Sequence, residues 1–270
     1  MVLRTTDGNG DFDWWFILTT EAEVSDEFVS QYNDLIWSDE FDTDGAPDSA
    51  KWGYDLGAGG WGNGEVQTYT NDAENVIVDG GFLKINAIKN DNDYSSARLK
   101  SQGLFGFTYG RVEVRAKLPA SAGTWPAIWM LGDSFSTVGW PQCGEIDIME
   151  QTGANKNTTL GTFHWFDSGT NAQASYGEST TVGTSTTDFH NYSLEWTSDK
   201  VTVLVDNVPF VSMDNNNTFS PENKTKEIWP FNQPFYLLIN LAIGGGFGGP
   251  EVDDSIFPQE FVIDYVKVYK

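Results

Sequence analysis

Gly144–Gln151 reads GEIDIMEQ. Isoleucines at 146 and 148 alternate with acids at 145 and 147, the period-2 pattern of a strand with one apolar face. Ile146 and Ile148 are assigned to the core, and Glu145 and Asp147 to the opposite face. Glu150 breaks the alternation. In a regular strand it would fall on the core side, where an unpaired carboxylate is costly. One extra residue, a β-bulge near Ile148–Met149, returns it to the acidic face, and bulges concentrate beside active sites.

The neighbouring text is of the same kind. Residues 82–88 (FLKINAI), 110–118 (GRVEVRAKL), 193–196, 201–205, 236–241 and 261–269 (FVIDYVKVY) alternate apolar and polar positions or are rich in β-branched and aromatic residues. Clusters of Gly, Asn, Asp and Pro separate them. VDNVP at 205–209 reads as a tight hairpin, with Asp206-Asn207 able to take positive φ angles. Many antiparallel strands without helices leave a sandwich or a barrel. The expected fold is all-β: a jelly-roll sandwich of two antiparallel sheets with a concave face that forms a cleft. Residues 43–75, 89–108, 132–143 and 166–190 read as long polar connections of the kind that carry function. Residues 1–33 stand apart as an N-terminal extension, with a WWFIL run at 14–18 and a helix-compatible stretch at Glu21–Gln31. The expected domain covers 34–270.

Composition narrows the function. With 15 basic and 39 acidic residues the net charge is −24, which repels nucleic acid and anionic membrane surfaces. No apolar run is long enough to span a bilayer as a helix. The single cysteine, Cys143, excludes an internal disulfide. The start lacks the basic-then-apolar layout of a secretory leader, which a mature chain would also lack. Eleven tryptophans suit a protein that stacks aromatic faces on sugars, although large β-cores use aromatics too.

Three acids on one face repel one another, so at least one pKa must rise. Glycoside hydrolysis needs such an arrangement. One carboxylate attacks the anomeric carbon and one carboxylic acid protonates the leaving oxygen, about 5–5.5 Å apart in retaining enzymes. A metal site or a solvated strand face would use the same residue types, and spacing alone leaves both open.

GEIDIME resembles the signature of glycoside hydrolase family 16 in its bulged E-x-D-x-x-E form. WSDEFD (37–42), GNGEVQ (62–67), SARL (96–99), GTWPAIWML (123–131), GTFHW (161–165) and IDYVKVY (263–269) resemble further family segments in the expected order. The resemblance covers about 34–270. It implies Glu145 as nucleophile, Glu150 as acid/base, and Asp147 as the helper between them. It marks Trp125 and Trp129 as a stacking platform, with Trp140 and Trp165 as further candidates. It places His164 beside the catalytic acids, and Asn63, Glu65 and Arg98 among the polar groups that bind sugar hydroxyls. His190 reads as structural. No cofactor is implied for catalysis, but a structural Ca²⁺ is, at Glu40, Gly80 and Asp264 and largely through backbone oxygens.

The implied activity is endo-hydrolysis of β-1,3-glucan by a monomer, at an extracellular or cell-surface location. Mixed-linkage β-1,3-1,4-glucan or a marine galactan is the alternative on the same fold. A sulfated galactan would call for basic residues that this acidic chain largely lacks. A non-catalytic glucan-binding module is disfavoured, because both glutamates are present. GGGFGG at 244–249 reads either as a mobile rim carrying Phe247 or as glycines serving turn geometry.

Overall fold

The computed structural model describes residues 3–6, 12–15, 28–215, 229–249 and 252–270. The strands in chain order are β1 (Leu3–Thr6), β2 (Phe12–Trp15), β3 (Leu35–Asp39), β4 (Gly53–Tyr54), β5 (Gln67–Tyr69), β6 (Val76–Asp79), β7 (Phe82–Asn90), β8 (Asp93–Ser96), β9 (Arg98–Lys100) and β10 (Gly110–Lys117). They continue with β11 (Thr124–Gly132), β12 (Glu145–Gln151), β13 (Thr158–Asp167), β14 (Ala172–Thr181), β15 (His190–Trp196), β16 (Lys200–Val205), β17 (Val208–Asp214), β18 (Phe235–Ile243) and β19 (Gln259–Tyr269). Two four-residue helices, α1 (Phe135–Val138) and α2 (Gly245–Gly248), interrupt the loops.

One sheet runs β14-β13-β12-β11-β18-β9-β4 and lines the cleft. The other runs β17-β16-β15-β10-β19-β7-β8-β5, with β3 added on β19 and β6 on β7. All pairings in these sheets are antiparallel except β5 with β8. The expected two-sheet sandwich is the observed fold. Its core lies between the sheets, filled by Ile146, Ile148, Met149, Leu237, Ile239 and Leu241 from one and Val112, Val114, Val266 and Val268 from the other. β13 shows the cause: its residues alternate half-buried and buried along all ten positions. Every residue of β18 is buried, because the cleft furniture covers the face that the core does not.

The predicted strands are present, and the 205–209 hairpin turns through Asp206 (φ 48°) and Asn207 (φ 66°). The connections differ from expectation. The supposed loop 166–190 contains β14, a ten-residue edge strand whose positions are mostly exposed, so no apolar alternation announced it. The 43–75 and 89–108 stretches hold β4, β5, β8 and β9. Of the helix-compatible stretch Glu21–Gln31, residues 21–27 lie outside the described residues. Residues 28–31 are not helical. They lie along the sheet that does not line the cleft: Asn207 Nδ2 donates to the Phe28 carbonyl, and Ser30 Oγ donates to Glu195. Among the described residues, no helix is long and apolar enough to cross a membrane.

Candidate active site

The bulge in β12 is visible in its register with β11. Glu145 pairs with Leu131, Asp147 with Trp129, and Glu150 with Ala127. The partners are evenly two apart, whereas the acids are two and then three apart. Ile148 is the extra residue. All three carboxylates therefore share a face with Trp125, Ala127, Trp129 and Leu131, and together they line a cleft of about 520 Å³. Ile146, Ile148 and Met149 are fully buried on the other side.

Burial and mutual repulsion set the electrostatics. Glu145 is raised by burial, then by Asp147; His164 opposes the shift. Burial likewise raises Asp147. Burial and the Asp147 charge push Glu150 up to about 8, against a hydrogen bond from Trp125 that favours its ionised form. In that bond the Trp125 indole N–H donates to Glu150 Oε1 at 2.9 Å. His164 sits on β13 directly opposite Glu145. Its Nε2 lies 3.1 Å from Asp147 Oδ2 and 3.8 Å from Glu145 Oε1, and its Nδ1 meets Gln173 Nε2 of β14 at 3.1 Å.

Behind Glu150, the Lys156 amine donates to Thr124 O, Thr124 Oγ1 and Gln151 Oε1 at 2.7–3.1 Å. This ties the start of β11 to the end of β12. Burial pushes the amine down to about 7, although three acceptors satisfy all three of its ammonium protons.

The cleft gathers most of the residues expected from sequence. Asn63, Glu65, Arg98, Trp125, Trp129 and Trp140 line it together with the three acids. Trp140 packs near His164, with ring centroids 6.1 Å apart. Trp165 does not join them. It is 8% exposed and belongs to the core, because strand alternation sends it to the face opposite His164. Glu65 is walled in: Asn63, Gln67 and Tyr69 donate to its two oxygens. His190 is held by Asp206 and Thr184.

Sequence reasoning missed Trp61, Asp55, Tyr236 and Asn240, which also line the cleft. Arg98 lies between Trp61 and Trp129, 5.1 and 4.6 Å from their ring centroids, and pairs with Asp55 at 3.1 Å. The position of Trp61 beside the GNGE stretch was the only available signal for it.

Gly244–Gly249 is a pinned rim. Gly244 N–H donates to Gly123 O, Gly246 N–H to Asn63 O, and Gly153 N–H to Phe247 O at 2.7 Å. Phe247 packs on Trp125 with centroids 5.2 Å apart.

Glu145, Asp147 and His164 form the one group of three potential metal ligands found among the described residues. The residues expected to hold calcium are differently placed. Glu40 Oε1 lies 3.1 Å from Lys267 Nζ, and Asp264 pairs with Arg115. With both carboxylates held by cations, an ion there depends on main-chain oxygens.

Residues 63–267 match the family described as Glycosyl hydrolases family 16. The chain belongs to this family. It is 45% identical over 244 residues to a beta-glucanase of Rhodothermus marinus, an alignment covering 88% of this chain and 85% of that protein. Among solved structures, the laminarinase from Rhodothermus marinus superposes with a TM-score of 0.80 at 45% identity, covering 88% of this chain and 97% of that one. A LamA variant from Z. galactanivorans, solved with laminaritriose and laminaritetraose, superposes with a TM-score of 0.78 at 40% identity, covering 88% and 100%.

Proposed function

We propose that the chain is an endo-acting β-1,3-glucanase that cleaves laminarin-type glucan by double displacement. The observation that carries this reading is the bulged strand, which presents Glu145, Asp147 and Glu150 together in a tryptophan-lined cleft. The beta-glucanase and laminarinase relatives support the substrate class. No cofactor enters the reaction.

In the working state the Glu145–Asp147 pair, which His164 borders, has given up a proton. The charge left there holds the proton on Glu150. The Glu145 carboxylate attacks the anomeric carbon while Glu150 gives its proton to the departing glycosidic oxygen. An ester joins the sugar to Glu145, and the aglycone leaves as an alcohol. Glu150, now a carboxylate, takes a proton from water as that water attacks the same carbon. The ester breaks, a β-configured hemiacetal leaves, and both glutamates regain their starting states. Asp147, between them on the strand, tunes both. Trp125 and Trp129 offer ring faces to sugars.

Glu145→Gln abolishes hydrolysis on this reading, and Glu150→Gln lowers it by about 10²–10⁴-fold. Time-resolved NMR of laminarin digestion reads the stereochemistry: the β-anomer appears first. An α-anomer first, or unchanged turnover in Glu145→Gln, refutes the mechanism. Cleavage of agarose or lichenan without laminarin refutes the linkage.

We further infer an extracellular or cell-surface location, since a polymeric glucan does not cross membranes. We also infer a structural Ca²⁺ held by main-chain oxygens near Glu40, Gly80 and Asp264. The supporting observation is that these residues sit on or beside connected strands: Glu40 follows β3, Gly80 lies in the turn between β6 and β7, and Asp264 is on β19, which pairs with both β3 and β7.

A further inference from the structure

A file of polar groups runs through the cleft wall from a buried carboxylate to the edge of a cleft tryptophan. Glu65 is 8% exposed, and its Oε2 accepts from Tyr69 OH at 3.1 Å. Tyr69 OH in turn accepts from Asn240 Nδ2 at 3.2 Å. Asn240 Oδ1 accepts from the Trp129 indole N–H at 2.7 Å. Chemistry fixes the direction of this file. An indole nitrogen only donates, so the amide oxygen of Asn240 must face it. The amide nitrogen is thereby turned toward Tyr69, whose hydroxyl accepts that bond and has one proton left to give. The Glu65 carboxylate takes it. Burial, with the Glu65 charge adding, pushes the Tyr69 phenol well above its ordinary range, so it keeps its proton.

The Glu65 end is anchored separately. Asn63 Nδ2 donates to Oε1 at 2.9 Å, Gln67 Nε2 donates to Oε2 at 2.6 Å, and Gln67 Oε1 accepts from Ile243 N at 2.8 Å. At the far end, Arg98 lies over one face of the Trp129 ring. The indole is thus held at its edge and on one face, and Trp129 is among the residues that line the cleft.

We propose that Tyr69 and Asn240 are positioning residues, which with Glu65 hold the Trp129 indole at the angle at which it stacks a glucose ring. The role in sugar binding rests on the glucanase reading above; the hydrogen-bond relay itself does not. Glu65 then acts through Trp129, with three of its roughly four acceptor positions already taken.

The test has a sugar-free arm and a kinetic arm. In ¹⁵N-labelled full-length chain, the Trp129 indole N–H resonance is identified by its disappearance in Trp129→Phe. Its exchange in D₂O accelerates by about tenfold or more in Asn240→Leu and by a smaller factor in Tyr69→Phe, as expected for loss of a buried hydrogen bond. With laminari-oligosaccharides, KM rises about three- to tenfold in both variants while kcat stays within about twofold. In a Trp129→Phe background, which has no indole proton to hold, neither substitution raises KM further.

Tyr69→Phe removes one oxygen and keeps the ring, so it tests the relay even where Asn240→Leu fails to fold. Unchanged indole exchange and KM in Tyr69→Phe overturn the proposal. KM effects that add to that of Trp129→Phe overturn it too, because Asn240 or Tyr69 would then touch sugar independently. Altered exchange with unaltered KM leaves a relay with no role in binding, which also refutes the positioning role. Loss or retention of hydrolysis in Glu145→Gln reads the glucanase assignment separately.

Discussion

Replacing Trp125 by Phe removes one proton from the acid/base glutamate's surroundings and keeps an aromatic ring. The indole N–H donates to Glu150 Oε1 at 2.9 Å, and this bond holds the pKa of Glu150 below where burial and Asp147 alone would put it. A hydrogen bond to a charged group contributes about 1.5–3 kcal/mol, and part of that survives when the carboxyl is protonated. A differential of about 0.7–1.4 kcal/mol corresponds to about 0.5–1 pH unit. The general acid must be protonated to act, so activity falls as pH rises through the pKa of Glu150, which lies at about 8. Without the donor, that pKa rises further. The alkaline limb of kcat/KM should move up by about 0.5–1 unit in Trp125→Phe, measured on laminari-oligosaccharides across pH 5–10. KM also rises through the smaller stacking face, but this scales the profile and leaves its limb in place. The phenyl ring keeps the contact with Phe247, so the rim should stay seated. A limb that stays put or moves to lower pH refutes the assignment of Glu150 as the acid held by Trp125.

The same glutamate should destabilise the fold at neutral pH. Its folded pKa is raised, so the stability it contributes is present below about 4.5 and lost as pH climbs to about 8; Glu150→Gln should therefore be more stable than the parent at pH 8, by at most about 5 kcal/mol in unfolding free energy, and equal it near pH 4, and a pH-independent stability difference would argue against the shift. Gly153→Ala would place a Cβ 1.9 Å from Gly248 O and 2.6 Å from Gly248 C. It should cost about 1–3 kcal/mol and raise KM by displacing Phe247; an unchanged melting temperature would show that the rim yields freely. Chelation with EDTA should lower the melting temperature and added Ca²⁺ restore it, whereas an unmoved melting temperature would remove the ion from the account.

Much of the site was legible because a strand's period of two is unforgiving. GEIDIMEQ could not place Glu150 with Glu145 and Asp147 without an extra residue, and Ile148 is that residue. Trp125 and Trp129 were marked by the family resemblance, and both line the cleft. Trp165 was misread although the same alternation separates it from His164, because a resemblance covering the whole GTFHW segment does not distinguish faces. β14 was missed because an exposed edge strand has no apolar side to show.

From its own text, the chain determined which local pieces are strands, which face of each is apolar, and that three acids share one face. Those properties follow from side-chain alternation within a few residues. Only the tertiary structure decided what surrounds the acids. Trp125 reaches Glu150 across 25 positions, Asn240 meets Trp129 across 111, and Tyr69 meets Asn240 across 171. Such contacts depend on strand order in the sheet, which no local period encodes, and on donors and acceptors that match only once burial has removed water as an alternative partner.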